Sequence, residues 1–399
     1  MSDGRTVGPS DREPIVASAK GAARWRAGHP WIYRTDIVRD PRGEAGIVSV
    51  TDGRGRFLGQ ALYSPKSEIR LRLLSTGRAP IDAAWWRSRI AAAAARREGI
   101  PATAWRVVHA EGDGLPSLIV DRYGSSVVAQ LLSAGLERVR DDVVAALVEA
   151  LRPPPDGILL RHDAPIRRHE GLALEVVTAF GTVPETVEVS EHGVRYLAAP
   201  HTGQKTGAFL DQRENRALVG AHTRPGGRAL DLFTYHGSFA LHLARRAREV
   251  TAVDGSADAL ARGQENAALN GLANIVWREA NAFDLLREEE REGEAYDTVV
   301  LDPPAFAKTK DNVPRALAAY KEINLRAMRL LAPGGVLFTS SCSYHVYRHL
   351  FTAMLADAAR DSGRGLQVLA WVGAARDHPE LLNVPETGYL KGALLRAID

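Results

Sequence analysis

The chain has 399 residues, 45% hydrophobic, 25% charged and 7% aromatic, with a net charge of +3; at roughly 150 residues per domain it holds two or three packed domains, which excludes a mini-protein and wholesale disorder. Its one cysteine, Cys342, excludes an internal disulfide and a cysteine-rich metal site. No apolar run approaches the ~18 residues of a membrane span and the opening MSDGRTVGPSDREP is polar, so the expectation is a cytoplasmic protein with no membrane partner. Residues 15–80 then read as short strands broken by turns (IVASAK, PWIYRTDIV, GIVSVTDGRGRFLGQALYS, IRLRLLS), punctuated by Asp52-Gly53 and Pro65, the pattern of a small β-barrel. The basic excess lies here: residues 1–80 carry 14 Lys+Arg against 8 Asp+Glu, the remainder 37 against 40. Such asymmetry fits a nucleic-acid-facing module joined to a nearly neutral one. The plain alternative is an arginine-rich composition, since only 7 of the 51 basic residues are lysine.

DAAWWRSRIAAAAARREG (82–99) has helical spacing and ends in glycine. GDGLPSLIVDRYGSSVVAQLL alternates strand-like runs with turns, and LERVRDDVVAALVEAL is a helix stopped by Pro153, Pro154 and Pro155. Strand-like ILLRHD and VEVSEHGVRYLAA lead to His201. From Ala229 the rhythm becomes strand, helix, strand, helix: ALDLFTY, SFALHLARRA, EVTAVDG, ADALARGQENAALNG, NIVWREA, DTVVLDPP, GVLFTSS. Strands separated by helical stretches of 10–15 residues predict an α/β domain with a parallel, doubly wound sheet.

In such sheets ligands sit beyond the carboxyl ends of the strands. The first strand ends in Asp231-Leu-Phe-Thr-Tyr-His-Gly237, where Gly237 lets backbone approach a ligand. One glycine is too few for a dinucleotide fingerprint. A strand-end acid with a single turn glycine suits a ligand carrying a nucleoside and an amino group but no phosphate, such as S-adenosylmethionine. Asp254 closes the next strand, where a carboxylate can take both ribose hydroxyls; Asp254 or Ser256 can equally cap the following helix. Asn281 ends the third strand and can meet an adenine edge or cap a helix. Asp302-Pro303-Pro304-Ala305-Phe306 follows the fourth strand; two prolines fix the backbone and remove two N–H donors, so an acid, a ring and carbonyls are held in a preset geometry. The fifth strand delivers Cys342 to the same edge, ahead of a predicted helix whose N terminus would lower the thiol pKa and make it a nucleophile. A small buried hydrophobe is the alternative for a lone cysteine.

In this order the elements resemble the class I S-adenosylmethionine-dependent ribosomal RNA methyltransferases of the large-subunit cytosine-C5 type. The resemblance spans nearly the whole chain. HPWIYRTDI and GRFLGQALYSPKS resemble that family's RNA-binding PUA β-barrel, GDGLPSLIVDRYG its central domain, QKTGAFLDQREN the segment before its catalytic domain, and DLFTYHGSFALHLA, VDGS, LDPPAFAKTK and SSCS its methyltransferase motifs. It implies a PUA-like barrel over 1–82 with a flexible tail at 1–14, a central α+β domain over 83–186, and a Rossmann-like methyltransferase domain with a leading hairpin over 187–399.

The resemblance also implies roles. Asp231, Phe233 and Gly237 frame S-adenosylmethionine, Asp254 holds the ribose, Asn281 stands where relatives often have Asp at the adenine, and Lys205, Thr206, Gly207 and Arg213, with Asp302 and Pro303, complete the cofactor site. Cys342 matches the catalytic cysteine and Asp302 the acid that engages the base. Ribosomal RNA is the implied partner, with Arg24, Arg26, Arg34, Lys66, Arg70 and Arg72 for phosphates and Phe306, Tyr344 and Tyr320 to stack on a flipped base. Two readings compete: transfer to an exocyclic base nitrogen without a covalent step, and an RNA-binding assembly factor with a vestigial site. Whether the protein is a monomer or a homodimer is left open by the residues.

Overall fold

In the computed structural model, which describes residues 13–41, 43–307 and 309–399, the chain divides into two units. One takes Met1–Val189, Ala198–Leu210 and Asp377–Thr387, the other Ser190–Leu197, Asp211–Arg376 and Gly388–Asp399. The tail expected at 1–14 lies, up to residue 12, outside the described residues.

The first unit contains two sheets. In the six-stranded one the spatial order is Trp31–Tyr33, Ile69–Ser75, Phe57–Tyr63, Gly46–Asp52, Ile15–Ala17, Ile37–Arg39, antiparallel except where Ile15–Ala17 runs parallel to Gly46–Asp52. Gly46–Asp52 buries alternate residues, so Val48 and Val50 face inward and pack with Ile15, Ala61, Tyr63 and Leu71. The strand expected through IVASAK stops at Ala17. There the Ser18 hydroxyl accepts the Gly21 N–H at 3.1 Å and caps a helix, Ala19–Arg26, whose Trp25 is buried.

The five-stranded sheet is ordered Val176–Gly181, Gly157–Arg161, Ser126–Leu131, Leu118–Tyr123, Ala104–His109. Trp86 and Ile90 of helix Ala83–Ala95 and Val143 and Leu147 of helix Arg140–Ala150 close its core.

The cations expected to meet RNA phosphates in this unit are mostly spent within it. Arg24 pairs with Asp36 at 2.6 Å, Arg26 with Asp52 at 3.6 Å, Arg34 with Glu68 at 3.0 Å and Arg70 with Asp40 at 3.8 Å. Arg72 and Glu170 form a buried pair at 2.9 Å, and Glu170 also accepts the Ala134 N–H. Of the six, Lys66 alone makes no ion pair among the described residues. Arg72 is therefore a strut. Arg72→Ala, which leaves a buried carboxylate unpaired, should lower stability by about 3–5 kcal/mol in urea unfolding; an unchanged midpoint would contradict this.

In the second unit the strands are β1 (Arg228–Leu232), β2 (Glu249–Asp254), β3 (Ile275–Glu279), β4 (Tyr296–Leu301), β5 (Leu331–Ser341), β6 (Leu366–Val372) and β7 (Lys391–Ala397). The helices are α1 (Arg213–His222), α2 (Ser238–Ala244), α3 (Ala257–Leu269), α4 (Ala282–Glu292), α5 (Val313–Arg329) and α6 (Arg348–Ser362). The seven strands lie in the order β3-β2-β1-β4-β5-β7-β6. The first five are parallel, and β7 is antiparallel to both neighbours. Leu230, Leu232 and Val253 pack on α4, α5 and α6 through Leu285, Tyr320, Ile323 and Phe351. Ala229, Val250, Ala252 and Phe338 pack on α1 and α2 through Val219, Phe239 and Leu243. This is the Rossmann-like sheet expected from residue 229 onward. Its order reverses between β1 and β4, and the carboxyl ends flanking that reversal are where a ligand crevice forms.

Candidate active site

Asp231 is the fourth residue of β1 and is fully buried. Its Oδ2 accepts the Thr234 hydroxyl at 2.5 Å and the Ala240 N–H of α2 at 2.9 Å. Its Oδ1 has no hydrogen-bond partner among the described residues. Burial pushes its pKa up to about 7, the two donors offset part of that rise, and the nearby Asp302 and Asp254 charges add to it. A buried, orphaned acceptor flanked by two more carboxylates is built for a cationic group, which would supply the missing partner and restore the charge. The amino group of S-adenosylmethionine fits it.

The turn after Asp231 is strained. Phe233 and Tyr235 take left-handed backbone conformations, φ +64° and +52°, as does Gly237 at +82°. It is held by Thr234 N–H to Val253 O at 3.0 Å, Tyr235 N–H to Asp254 Oδ2 at 2.9 Å and the Asn266 amide to His236 O at 3.0 Å. His236 stacks on Tyr196, 5.4 Å between ring centres, and burial holds its imidazole neutral with a pKa near 4. The structure gives Gly237 a packing reason besides the expected one. A Cβ there would lie 2.5 Å from the Trp277 ring, and one at Gly263 would lie 2.4 Å from it. Glycine is required by the positive φ and by Trp277, while Phe233, half-buried, marks the turn's other side.

Asp254 ends β2 half-buried, with Oδ1 accepting the Ser256 N–H at 3.0 Å. The cap of α3 is Ser256, whose hydroxyl accepts the Ala259 N–H, so Asp254 is not the helix cap and its carboxylate retains acceptor capacity for hydroxyls. Asn281 caps α4: its Oδ1 accepts the Phe283 and Asp284 N–H groups at 2.9 and 3.4 Å. Only its amide N–H remains to meet a base, which suits a ring-nitrogen acceptor.

Beyond β4, Asp302 Oδ1 accepts the Gln212 amide at 2.7 Å and the Ser340 hydroxyl at 2.5 Å. Gln212 is itself oriented, its Oε1 accepting Asn215 Nδ2 at 2.6 Å while that same amide reaches Gly373 O at 3.0 Å. Gln212, Asn215 and Ser340 thus fix the plane of the Asp302 carboxyl, and none of the three was anticipated. The signal lay inside LDQREN and TSSCS, but the partners are 90 and 38 residues away from Asp302. Arg213, next in LDQREN, is fully buried with Nη2 on Glu214 at 2.9 Å.

Cys342 directly follows β5, half-buried, its Sγ 4.0 Å from the Pro303 carbonyl oxygen. The Asp-Pro-Pro turn and the thiol therefore share one corner of the sheet edge. Ser343 anchors that corner: its hydroxyl accepts the Ala307 N–H at 3.1 Å and meets the Tyr320 hydroxyl at 2.9 Å, and the buried Lys391 ammonium donates to its carbonyl at 2.5 Å. The helix expected directly after Cys342 starts only at Arg348, so no dipole of that helix reaches the thiol through the first turn.

Tyr320 is fully buried and cannot stack on a base; its ring packs on Phe306 and Phe351. Phe306 is half-buried against Phe283 and Tyr320, and Tyr344 is exposed. Lys205, Thr206 and Gly207 belong to the first unit. There the buried Thr206 hydroxyl donates to Asp121 Oδ2 at 2.5 Å and meets the Tyr123 hydroxyl at 2.9 Å, so it is turned into the protein and not toward a ligand. Lys205 lies over the Phe209 ring at 4.7 Å, and Gly207 at φ +143° packs its backbone against Ala199 and Tyr123.

Comparison with known proteins is consistent with this geometry. Residues 16–76 match the PUA-like domain family, and residues 167–396 match the S-adenosylmethionine-dependent methyltransferase family. The chain is 39% identical to the ribosomal RNA large subunit methyltransferase I of Shewanella denitrificans over 92% of this chain and 95% of that protein. It is likewise 39% identical to the protein of that name from Tolumonas auensis, over 93% and 96%. Among solved structures, a candidate S-adenosylmethionine-dependent methyltransferase from Streptococcus mutans shares the fold with a TM-score of 0.82 at 20% identity, covering 96% of this chain and all of that one. A candidate methyltransferase solved with S-adenosylhomocysteine superposes equally well, TM-score 0.82 at 21% identity and the same coverage.

Proposed function

The chain belongs to the family of S-adenosylmethionine-dependent methyltransferases, and from that premise we propose that it transfers a methyl group to C5 of a cytosine in large-subunit ribosomal RNA through a covalent adduct on Cys342. The substrate class rests on the large-subunit names of relatives that align over more than nine-tenths of the chain and on the PUA-like domain. Such a substrate implies a cytoplasmic setting. The base and the mechanism rest on one observation: the chain's only thiol sits 4.0 Å from the turn that carries Asp302.

S-adenosylmethionine supplies the methyl group when bound, with Asp231 holding its amino group, Asp254 the ribose, Asn281 the adenine, and Phe233, Gly237 and Pro303 shaping the cradle. Cytosine C5 is a poor nucleophile because the ring is electron-poor. Addition of the Cys342 thiolate to C6 forms an S–C6 bond and moves the C5–C6 electron pair onto C5, which can then accept the methyl. Asp302, protonated or hydrogen-bonded, stabilises the charge that accumulates at N3 and the exocyclic amine as the adduct forms. Loss of the C5 proton to a base re-forms the C5–C6 double bond and expels the thiolate.

Gln212 acts here by positioning Asp302. Gln212→Leu should lower kcat about 10- to 100-fold, since the carboxyl loses its fixed plane, with cofactor affinity unchanged; equal losses in cofactor binding would assign Gln212 elsewhere. The reaction itself is tested by nucleoside mass spectrometry of large-subunit RNA incubated with enzyme and methyl donor. The expected product is 5-methylcytidine. A cytidine methylated on its exocyclic amine, or no methylated nucleoside, would overturn the proposal.

A further inference from the structure

Most of the described arginines are paired with carboxylates; the exposed ones that are not lie in both units, Arg54, Arg78, Arg246 and Arg291 among them. In the second unit Arg348, Lys310 and Arg315 are exposed and make no ion pair among the described residues. All three lie where α5 and α6 begin, at the carboxyl edge of the sheet. Those helices run side by side, joined through the Tyr320–Phe351 edge contact at 6.4 Å, and each follows a parallel strand of the sheet, so both start on the side of its carboxyl edge. The segment from Cys342 to α6, CSYHVYRH, adds aromatic rings to the same rim. Tyr347 is 53% exposed, and its ring lies nearly parallel to that of His349, 6.0 Å away at 11°. Tyr347, Arg348 and His349 line one end of a shallow, open surface depression that continues along Thr352, Ala353 and Ala356.

An exposed ring backed by a second ring, next to an unpaired guanidinium, has the chemistry of a single-stranded nucleic-acid platform: a base stacks on the ring and a phosphate takes the cation. Position supplies the register. Tyr347 lies five positions after Cys342, a reach of at most about 18 Å, so whatever lies on Tyr347 is within a few nucleotides of whatever lies on the thiol. A base that reaches Cys342 must leave its stack, and its neighbours must then be held apart. Arg24, Arg26, Arg34, Arg70 and Arg72 are paired within the first unit, whereas Arg348 is not engaged by a carboxylate among the described residues.

We propose that the Tyr347–His349 pair and Arg348, at the start of α6, bind the RNA nucleotides flanking the target base, Tyr347 by stacking and Arg348 through a phosphate, with Lys310 and Arg315 extending the phosphate track. This rests on the RNA-methylating reading above. Tyr347 is a good site for a test because its side chain makes no capping hydrogen bond to α6, so its removal leaves the helix intact.

The test measures binding of deproteinised large-subunit ribosomal RNA, and methyl transfer to it, across a salt series. Tyr347→Ala should weaken RNA binding about 10-fold with the salt slope unchanged, and Tyr347→Trp should restore it. Arg348→Gln should weaken binding and reduce the slope of log K against log salt by about one. S-adenosylmethionine affinity should stay at the wild-type value in all three. If the wild type methylates the RNA and Tyr347→Ala and Arg348→Gln bind and methylate it equally well, the rim is not the flanking-nucleotide site and the methylation reading stands. If the wild type neither binds nor methylates the RNA, the functional reading falls and this inference with it.

Discussion

Cys342→Ala should reduce methyl transfer by at least about 10⁴-fold, the scale on which enzymes lose rate when a covalent nucleophile is removed, while binding S-adenosylmethionine as the wild type does. The two halves of this expectation separate because the residues come from different strand ends. Asp231 and Asp254, proposed to hold the cofactor, lie at the ends of β1 and β2, Asp231 one residue before the last of β1, whereas Cys342 follows β5 with its Sγ 4.0 Å from the Pro303 carbonyl oxygen. Alanine removes one half-buried sulfur and disturbs none of the hydrogen bonds that Ser343 makes with Ala307, Tyr320 and Lys391. Loss of turnover in the variant therefore reports chemistry, not a collapsed corner. Single-turnover transfer together with calorimetric titration of the cofactor checks both halves, and wild-type turnover in the variant would leave direct transfer to an exocyclic nitrogen as the reading.

The second large effect is expected at Asp231, where stability and function should move in opposite directions. In the folded protein its pKa is pushed up to about 7, against about 3.9 for an unperturbed aspartate. Between those values the folded protein binds a proton that the unfolded chain does not. The resulting contribution to stability is fully present below pH 4 and is lost as pH rises through 7. Above pH 7 the free protein therefore carries a buried charge whose upper-bound cost is about 4 kcal/mol, at 1.36 kcal/mol per pKa unit. Asp231→Asn keeps an oxygen to accept the Thr234 and Ala240 donors and removes the charge. At pH 8 it should melt above the cofactor-free wild type and bind S-adenosylmethionine at least about 100-fold more weakly, because the ion pair with the ligand's amino group is gone. In the wild type, cofactor affinity should rise as pH goes from 6 to 8, since the cation selects the ionised acid. Thermal melts with and without cofactor at pH 6 and pH 8 measure all of this; a variant that is less stable at pH 8 and binds normally would show that Asp231 is structural.

The strand-end acids and the thiol were legible because chemistry at the mouth of a parallel sheet follows from element order. Once ALDLFTY, EVTAVDG, DTVVLDPP and GVLFTSS are recognised as strands, Asp231, Asp254, Asp302 and Cys342 fall on one edge without further information. The placement of β7 between β5 and β6 was not legible, because strand pairing is set by contacts distant in sequence. Ser18 carried a local signal, a capping hydroxyl before an alanine-rich turn, that the strand pattern around it outweighed. Gln212 and Ser340 are polar residues whose significance depends on which carboxylate they meet, and that of Asn215 on its hold on Gln212. Arg70 and Arg72 looked like cations for RNA because charge counts do not reveal pairing; Asp40 and, 98 residues away, Glu170 had already taken them. Tyr320 resembled a stacking ring by composition alone, and its periodicity on α5 turns it into the core.

Covalent catalysis at Cys342 is tested most directly with RNA containing 5-fluorocytidine. After thiolate addition at C6 and methyl transfer to C5, that carbon bears fluorine and methyl and has no proton to lose, so the S–C6 bond cannot be broken by elimination. The wild type should accumulate a denaturant-resistant protein–RNA adduct that peptide mapping places on Cys342, and Cys342→Ala should form none. Methyl transfer to unmodified RNA without any adduct on the fluorinated RNA, or an adduct equally abundant in Cys342→Ala, would contradict it.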